Sequence, residues 1–203
     1  MSEQQTEDKT SEQVRYKKRL LLNILCGAMI FGAGGAIGAL TANGPIVFIF
    51  PIMGAVGGLS IGLLMGKRAR AMLVALTGAA GFGIASLPVL VFSGLGIGST
   101  ERGQAIPLWG IIVSIVLISI LGAFQGLIGG ISLGLGLKDR AKIGQLAIGG
   151  TLGFAISAQA SWGFLLGLPN EIIYAIWATV GGAILGATLS YLENRKITKN
   201  RPS

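Results

Sequence analysis

Apolar residues form six long blocks along the chain, separated by short polar segments. The approximate bounds are Leu20–Leu40, Ile46–Met65, Ala71–Leu95, Leu108–Leu137, Ile143–Leu166 and Ile172–Leu192. Each block is close to or longer than the ~20 residues that a helix needs to cross the hydrocarbon core of a bilayer. The pattern predicts an all-α integral membrane protein with six transmembrane helices. At Pro51 and Pro88 we expect kinks without breaks, because neighbouring helices can satisfy the freed backbone groups.

The polar ends of the chain complete a three-part organisation. Residues 1–19 are expected to form a flexible cytoplasmic tail that ends in a basic membrane flank, Arg15 to Arg19. Residues 20–192 form the six-helix domain, and residues 193–203 form a second basic cytoplasmic tail. Within the domain we predict three helical hairpins, at about 20–65, 71–137 and 143–192.

Glycine recurs every fourth residue on one face of each even-numbered block. The rows are Gly54, Gly58, Gly62 and Gly66; Gly122, Gly126, Gly130 and Gly134; and Gly182 with Gly186, flanked by Ala178 and Ser190. Residues four apart share one face of a helix, and a face without side chains lets a second backbone approach closely in lipid. We therefore predict small-xxx-small helix packing along these rows.

An internal repeat links two of the predicted hairpins. Residues 54–86 align without gaps on residues 126–158, with 13 identities in 33 positions. The identities include Ser60 with Ser132, Arg68 with Arg140, and Phe82 with Phe154, so they are not only glycines. Weaker correspondence reaches the first and last blocks. The simplest interpretation is three parallel tandem hairpins with quasi-threefold symmetry about the membrane normal.

Charge distribution sets the predicted orientation. Of 16 basic residues, 15 lie in the tails or in the connections after blocks two and four, and Arg102 is the exception. The positive-inside rule then places both termini in the cytoplasm, and we expect a prokaryotic plasma membrane. Trp109, Trp162 and Trp177 fall toward the external helix ends, as in an interfacial aromatic belt. The net charge of +8 follows from topology, so no nucleic-acid partner is expected.

Reactive chemistry is almost missing from the composition. The chain has no histidine and one cysteine, Cys26, and its eight carboxylates lie in tails, loops or block ends. Metal sites and serine–histidine catalysis therefore lack their residues. No ionisable residue stands mid-block, which argues against a proton-driven pump. We expect a protein that is not an enzyme and carries no cofactor or metal.

Amides and hydroxyls are the remaining candidates for solute contact. They are Gln125 in block four and Ser157, Gln159 and Ser161 in block five. They fit a small polar lining for a solute, and they equally fit interhelical hydrogen bonds, each worth on the order of 0.6 kcal/mol. The first functional hypothesis is binding or passage of a small neutral or amphipathic solute. The second is a structural subunit whose glycine faces dock the helices of a membrane partner or a second copy, with lipid as the surrounding partner in both cases.

Known six-span families do not account for the sequence. The proline- and acid-containing repeat motif of mitochondrial carriers and the paired Asn-Pro-Ala motif of aquaporins are both missing. Substrate-binding subunits of vitamin uptake systems share similar length and small-residue stripes. That likeness is architectural, and no specific motif supports it.

Overall fold

The computed structural model describes residues 3–41, 48–66, 68–94, 108–164 and 167–199. These ranges form seven α-helices and a 3-10 helix, with no strand among them. The helices are α1 Glu3–Thr41, α2 Ile49–Leu64, α3 Arg68–Ala85, α4 Leu87–Gly94, α5 Leu108–Leu137, α6 Arg140–Ser157, the 3-10 helix Ala158–Phe164, and α7 Asn170–Lys199. The predicted all-α class is confirmed.

Four helical segments are long and apolar enough to cross a membrane, judged by length and composition. They are Gln13–Leu40, Arg68–Val89, Leu108–Leu137 and Asn170–Tyr191. Helix α2 is also apolar but has only 16 residues, and α6 is not among the four. The finding is therefore four candidate membrane-spanning helices within the described ranges.

Both ends of the chain are more helical than the sequence analysis expects. Helix α1 begins at Glu3, so the polar segment that we expected to be flexible is helical where it is described. Glu, Gln, Lys and Arg have high helix propensity, which explains the extension. Helix α7 likewise continues to Lys199. Residues 42–47, 67, 95–107 and 200–203 lie outside the described residues, and the expectations for Glu101 and Arg102 fall there.

The two prolines have different surroundings. Pro51 lies in the first turn of α2, where a proline costs no intrahelical hydrogen bond. Near Pro88 the helix is interrupted, since α3 ends at Ala85 and α4 begins at Leu87. The expectation of a kink without a break is wrong there: the helix is interrupted at Ser86, because Pro88 has no N–H to donate to the carbonyl four residues earlier, that of Ile84, and its ring crowds that carbonyl. Ser86 bridges the interruption by donating from its Oγ to the Gly83 carbonyl at 2.6 Å.

Six helices pack as a closed ring. Helix α1 contacts α2 and α7, α2 contacts α3, α3 contacts α5, α5 contacts α6, and α6 contacts α7. Phe31, Phe82 and Phe154 are each at most 1% exposed and come from α1, α3 and α6. Ring centroids are 6.2 Å apart for Phe31 and Phe82, and 5.2 Å apart for Phe82 and Phe154. These three residues, the phenylalanine cluster, form the centre of the core.

Three glycine pairs bring neighbouring backbones into direct contact. The pairs are Gly54 with Gly78, Gly126 with Gly150, and Gly182 with Gly27. In each pair a methyl group added to either glycine would overlap the other's carbonyl oxygen. The pairs join α2 to α3, α5 to α6, and α7 to α1. Each even-numbered block thus lies against the odd-numbered block that follows it around the ring.

The turns at one end of the ring also recur. Gly66 and Lys138 both have positive φ, at 67° and 51°. The Gly66 N–H donates to the Leu63 carbonyl at 2.9 Å, and the Lys138 N–H donates to the Leu135 carbonyl at 3.0 Å. Gly66 and Lys138 are 72 positions apart (138 − 66), the offset of the sequence alignment (126 − 54). The α2–α3 and α5–α6 turns therefore share one backbone conformation.

The tryptophans differ in their environments. Trp109 is 70% exposed, as a residue facing lipid would be, whereas Trp177 is only 7% exposed. Trp177 packs edge-on against Phe50, with ring centroids 5.6 Å apart, and stacks on Tyr174 at 6.1 Å. Trp177 therefore does not face lipid, because neighbouring aromatic side chains enclose it. The side chain of Trp162 lies outside the described residues.

Candidate functional site

Three of the four predicted solute contacts engage nearby protein groups. Gln159 donates from Nε2 to Ser119 Oγ at 2.8 Å and to the Ile115 carbonyl at 3.3 Å, which ties it to α5. Ser157 Oγ lies 3.4 Å from the Phe154 carbonyl oxygen. Ser161 Oγ lies 2.5 Å from the carbonyl oxygen of Ala158. For these side chains, the structure displays the interhelical and intrahelical bonds that compete with a solute role.

Gln125 is different from the other three. Its side chain is 0% exposed, and neither its Oε1 nor its Nε2 has a hydrogen-bond partner in the described part of the chain. Gln125 therefore shares no hydrogen bond with Gln159, Ser157 or Ser161. An amide buried without partners costs roughly 1–3 kcal/mol for each unsatisfied group, so a polar group from outside the described chain would stabilise it.

A cavity of about 260 Å³ lies between α1, α2 and α7. We call it the α1–α2–α7 cavity. Its lining residues are Arg19, Asn23, Gly27 and Phe31 of α1; Ile61, Leu64 and Met65 of α2; and Gly182, Leu185, Gly186 and Leu189 of α7. It extends from the helix ends that carry the basic residues to the phenylalanine cluster. None of the four predicted solute contacts lines it.

The side chain at one recurring position explains why the cavity is here. The backbone carbonyls of Asn23, Val74 and Leu146 meet Gly186, Gly58 and Gly130 in the same way, so the three residues occupy corresponding places. Val74 and Leu146 are both 0% exposed and fill their sites with apolar atoms. Asn23 is polar and half-buried. The space beside α1 at this position is therefore left open, and one of its walls is an amide.

A second difference between corresponding positions lies on α2. In α5, Gly136 lies directly against α3, and a methyl group there would lie 2.8 Å from the Val74 Cα. Leu64 of α2 stands 72 residues earlier (136 − 72), at the position that corresponds to Gly136. Leu64 is 46% exposed and lines the cavity.

Polarity changes steadily from the mouth of the cavity to its floor. Arg19 is exposed, Asn23 is half-buried, and Gly27 is buried. Phe31, one further turn along α1, is 1% exposed. Asn23 donates from Nδ2 to Ser190 Oγ at 2.8 Å, which fixes its amide against α7. The cavity thus combines a cationic, hydrogen-bonding mouth with an apolar floor.

A second cation lies close to the lining. Lys142 of α6 is 9% exposed, and its Nζ lies 3.5 Å from the Met65 sulfur. The same Nζ lies 3.9 Å from Asp139 Oδ2, at the edge of ion-pair distance. Because Asp139 balances Lys142, the positive charge at the mouth is that of Arg19 on α1. This arrangement favours an anionic or hydrogen-bond-accepting group at the mouth.

The cavity was not found by sequence reasoning, although one signal pointed to it. Asn23 is the only amide in the block Leu20–Leu40, and it lies four residues from both Arg19 and Gly27. That spacing places the three on one helix face. What the spacing could not reveal is that α2 and α7 leave space in front of this face. The lining offers a guanidinium, an amide and apolar surface, which are groups for binding.

No protein-family model, no curated protein and no solved structure matches this chain. The cavity and its lining are therefore the features of the molecule that indicate a function.

Proposed function

We propose that the protein is a non-enzymatic, multi-pass membrane protein of transport type that binds or passes a small neutral or amphipathic solute through the α1–α2–α7 cavity. The cavity is the observation that carries the proposal. At about 260 Å³ it lies just below the ~300–1,000 Å³ of typical ligand pockets. Its mixture of apolar surface with a few polar groups is also typical of such pockets.

The architecture that we propose has six spans in three hairpins. Helix α2, with 16 residues, is about 24 Å long at 1.5 Å per residue, so it comes close to the ~30 Å hydrocarbon core. Helix α6 and the following 3-10 helix, with 18 and 7 residues, reach about 41 Å together. The three equivalent glycine pairs and the two matching turns support the repeat.

The proposed orientation has both termini in the cytoplasm of a prokaryotic plasma membrane. Arg19 and Met65 line one cavity, and Met65 contacts Lys142, so three of the basic segments meet at one end of the ring. The positive-inside rule makes that end cytoplasmic. The cavity would then open toward the cytoplasm, with the phenylalanine cluster as its barrier toward the outside.

Gln125 keeps a role in this proposal. It lies one helical turn before Gly129, which contacts the Phe82 ring, and so it stands on the far side of the phenylalanine cluster from the basic end. Its unpartnered amide supplies a polar contact for a solute that passes the cluster. Gln159, Ser157 and Ser161 have less support as solute contacts, because each already bonds a nearby protein group.

A flux assay tests the proposal. Proteoliposomes of the full chain would be loaded with neutral and amphipathic solutes of graded size, and efflux would be compared with protein-free liposomes. The test variant, Asn23→Val, gives the cavity the apolar filling found at Val74. The control variant is Gly144→Ala, because the added methyl group would meet no atom of the described residues within 4 Å. We expect wild type and Gly144→Ala to accelerate efflux of at least one solute and Asn23→Val to lose that acceleration. Equal efflux from all three proteins and from empty liposomes would refute the transport function.

The assembly function has less support. Apart from Gly66 in the α2–α3 turn, the glycines of the three rows lie against helices of the same chain, so they are not available to a partner. Purification from native membranes in mild detergent would separate the two functions. A stoichiometric membrane partner would favour the assembly role, and recovery of the chain alone or as a homo-oligomer would favour transport.

A further inference from the structure

The α1–α2–α7 cavity has a charged end and an apolar end, which restricts its ligand further than size does. Arg19 supplies a guanidinium at the exposed mouth, and the Asn23 amide lies one turn deeper. Below them, the apolar walls are Ile61, Leu185 and Leu189, and the floor is Phe31. A ligand that satisfies both ends must be an amphiphile.

The charge of the mouth decides the head group. A guanidinium binds phosphate and carboxylate through paired hydrogen bonds, and these charge-assisted bonds are stronger than neutral ones. Lys142, beside Met65, is ion-paired with Asp139, so the positive charge that lines the cavity is that of Arg19. Asn23 uses one amide N–H on Ser190, so its orientation is set before a ligand arrives. The mouth therefore favours an anion over a cation or a neutral polar group.

We propose that the cavity binds an amphiphile with an anionic phosphate or carboxylate head at Arg19 and Asn23 and an alkyl chain against Phe31, Ile61 and Leu185. This inference rests on the proposed function, because it names the solute class of the same cavity. The ligand is either a free single-chain amphiphile or a lipid of the surrounding leaflet. The head-group chemistry is common to both sources.

Thermal unfolding of the purified full chain in neutral maltoside detergent tests the proposal. The probes are decyl phosphate, decyltrimethylammonium, decanol and inorganic phosphate. A ligand that binds only the folded state raises the unfolding temperature, and the shift grows with the logarithm of the ligand concentration once that concentration exceeds Kd. We expect decyl phosphate to raise it, with little effect from decyltrimethylammonium or inorganic phosphate.

Two arginine variants test whether Arg19 binds the anionic head group. Arg19→Gln removes the charge at the mouth, and Arg15→Gln removes an equal charge one turn further out on α1, away from the cavity lining. Both arginines are exposed, so both variants are expected to fold. We expect Arg19→Gln to raise the apparent Kd for decyl phosphate, obtained from the concentration dependence of the unfolding temperature, at least tenfold, and Arg15→Gln to change it less than twofold. Equal effects of the two variants would overturn the assignment, because they would indicate adsorption to the basic end in general.

An experiment with lipid distinguishes the two sources of the ligand, a lipid of the leaflet and a free amphiphile. In nanodiscs, stabilisation by phosphatidylglycerol that depends on Arg19 but not on Arg15 would support a leaflet lipid as the anionic amphiphile. Stabilisation by decyl phosphate without that lipid effect would support a free amphiphile. Equal stabilisation by inorganic phosphate and decyl phosphate would overturn the proposal, since the alkyl chain would contribute nothing.

The same experiment distinguishes failure of this inference from failure of the proposed function. If decanol stabilises wild type but not Asn23→Val, and decyl phosphate does not stabilise wild type, the cavity binds a neutral solute and only the anionic assignment falls. If none of the probes changes the unfolding temperature of wild type and the flux assay is also negative, both proposals fall.

Discussion

Individual glycines in this protein differ sharply in what a side chain would meet. A methyl group at Gly130 would overlap the Leu146 carbonyl oxygen and lie 2.9 Å from the Ala147 Cα, both backbone atoms that cannot rotate away. At Gly144, in the adjacent helix α6, an added methyl group would meet no atom of the described residues within 4 Å. The two glycines are similar in the sequence, and their helix neighbours make them different.

This contrast gives a prediction at the residue scale. Gly130→Ala is expected to destabilise the fold by about 1–3 kcal/mol, the usual cost of overpacking, because α5 and α6 must separate. Gly144→Ala adds a methyl group in open space and is expected to be neutral or slightly stabilising, since alanine favours helix over glycine. Thermal unfolding of both variants in the same detergent measures the difference. Equal unfolding temperatures would contradict the close packing of α5 on α6.

Among the elements, the two matching turns show how one backbone conformation tolerates different residues. Gly66 has φ 67°, and a methyl group added there would meet no described atom within 4 Å. Any cost of a side chain at Gly66 is therefore a cost of the backbone conformation. Lys138 has φ 51° and already carries a side chain in that left-handed geometry. For residues other than glycine the left-handed region costs roughly 1–2 kcal/mol.

Reciprocal substitutions follow from this comparison. Lys138→Gly is expected to raise the free energy of unfolding by up to about 1 kcal/mol, and Gly66→Ala is expected to lower it by a similar amount. Unfolding temperatures of the two variants and wild type, measured together, provide the check. Stabilisation by Gly66→Ala would show that the α2–α3 turn does not need left-handed geometry.

On the scale of the whole molecule, six spans with cytoplasmic termini predict which end of the ring is accessible from each side. Ala69, near the start of α3, and Asn170, at the start of α7, are both exposed and lie at opposite ends of the proposed spans. In a Cys26→Ala background, Ala69→Cys is expected to react with a membrane-impermeant maleimide only after the membrane is opened. Asn170→Cys is expected to react in intact cells.

Labelling in right-side-out vesicles and intact cells measures this topology. The opposite pattern would reverse the orientation and place the mouth of the cavity outside. Labelling of both cysteines from one side would rule out the six-span arrangement. In that arrangement three spans, those of α3, α5 and α6, separate Ala69 from Asn170, so the two residues must lie on opposite faces of the membrane.

The sequence by itself determined the class of the fold. Long uncharged blocks must bury their backbone polar groups in helices, and four-residue glycine spacing marks one face of each even block. The sequence also showed that the basic residues cluster in the tails and in the connections after blocks two and four, which predicts the orientation. These properties depend on neighbours along the chain, so the sequence is sufficient to predict them.

Only the tertiary structure decided where the candidate site lies. The predicted contacts Gln159, Ser157 and Ser161 engage nearby protein groups, whereas Asn23 lines a cavity that no pattern revealed. A cavity exists where distant residues leave space unfilled, here with Asn23 at the place that Val74 and Leu146 occupy elsewhere in the ring. Such a difference between facing helices appears only when α1, α2 and α7 are brought together, because it depends on packing between residues up to 170 positions apart (189 − 19).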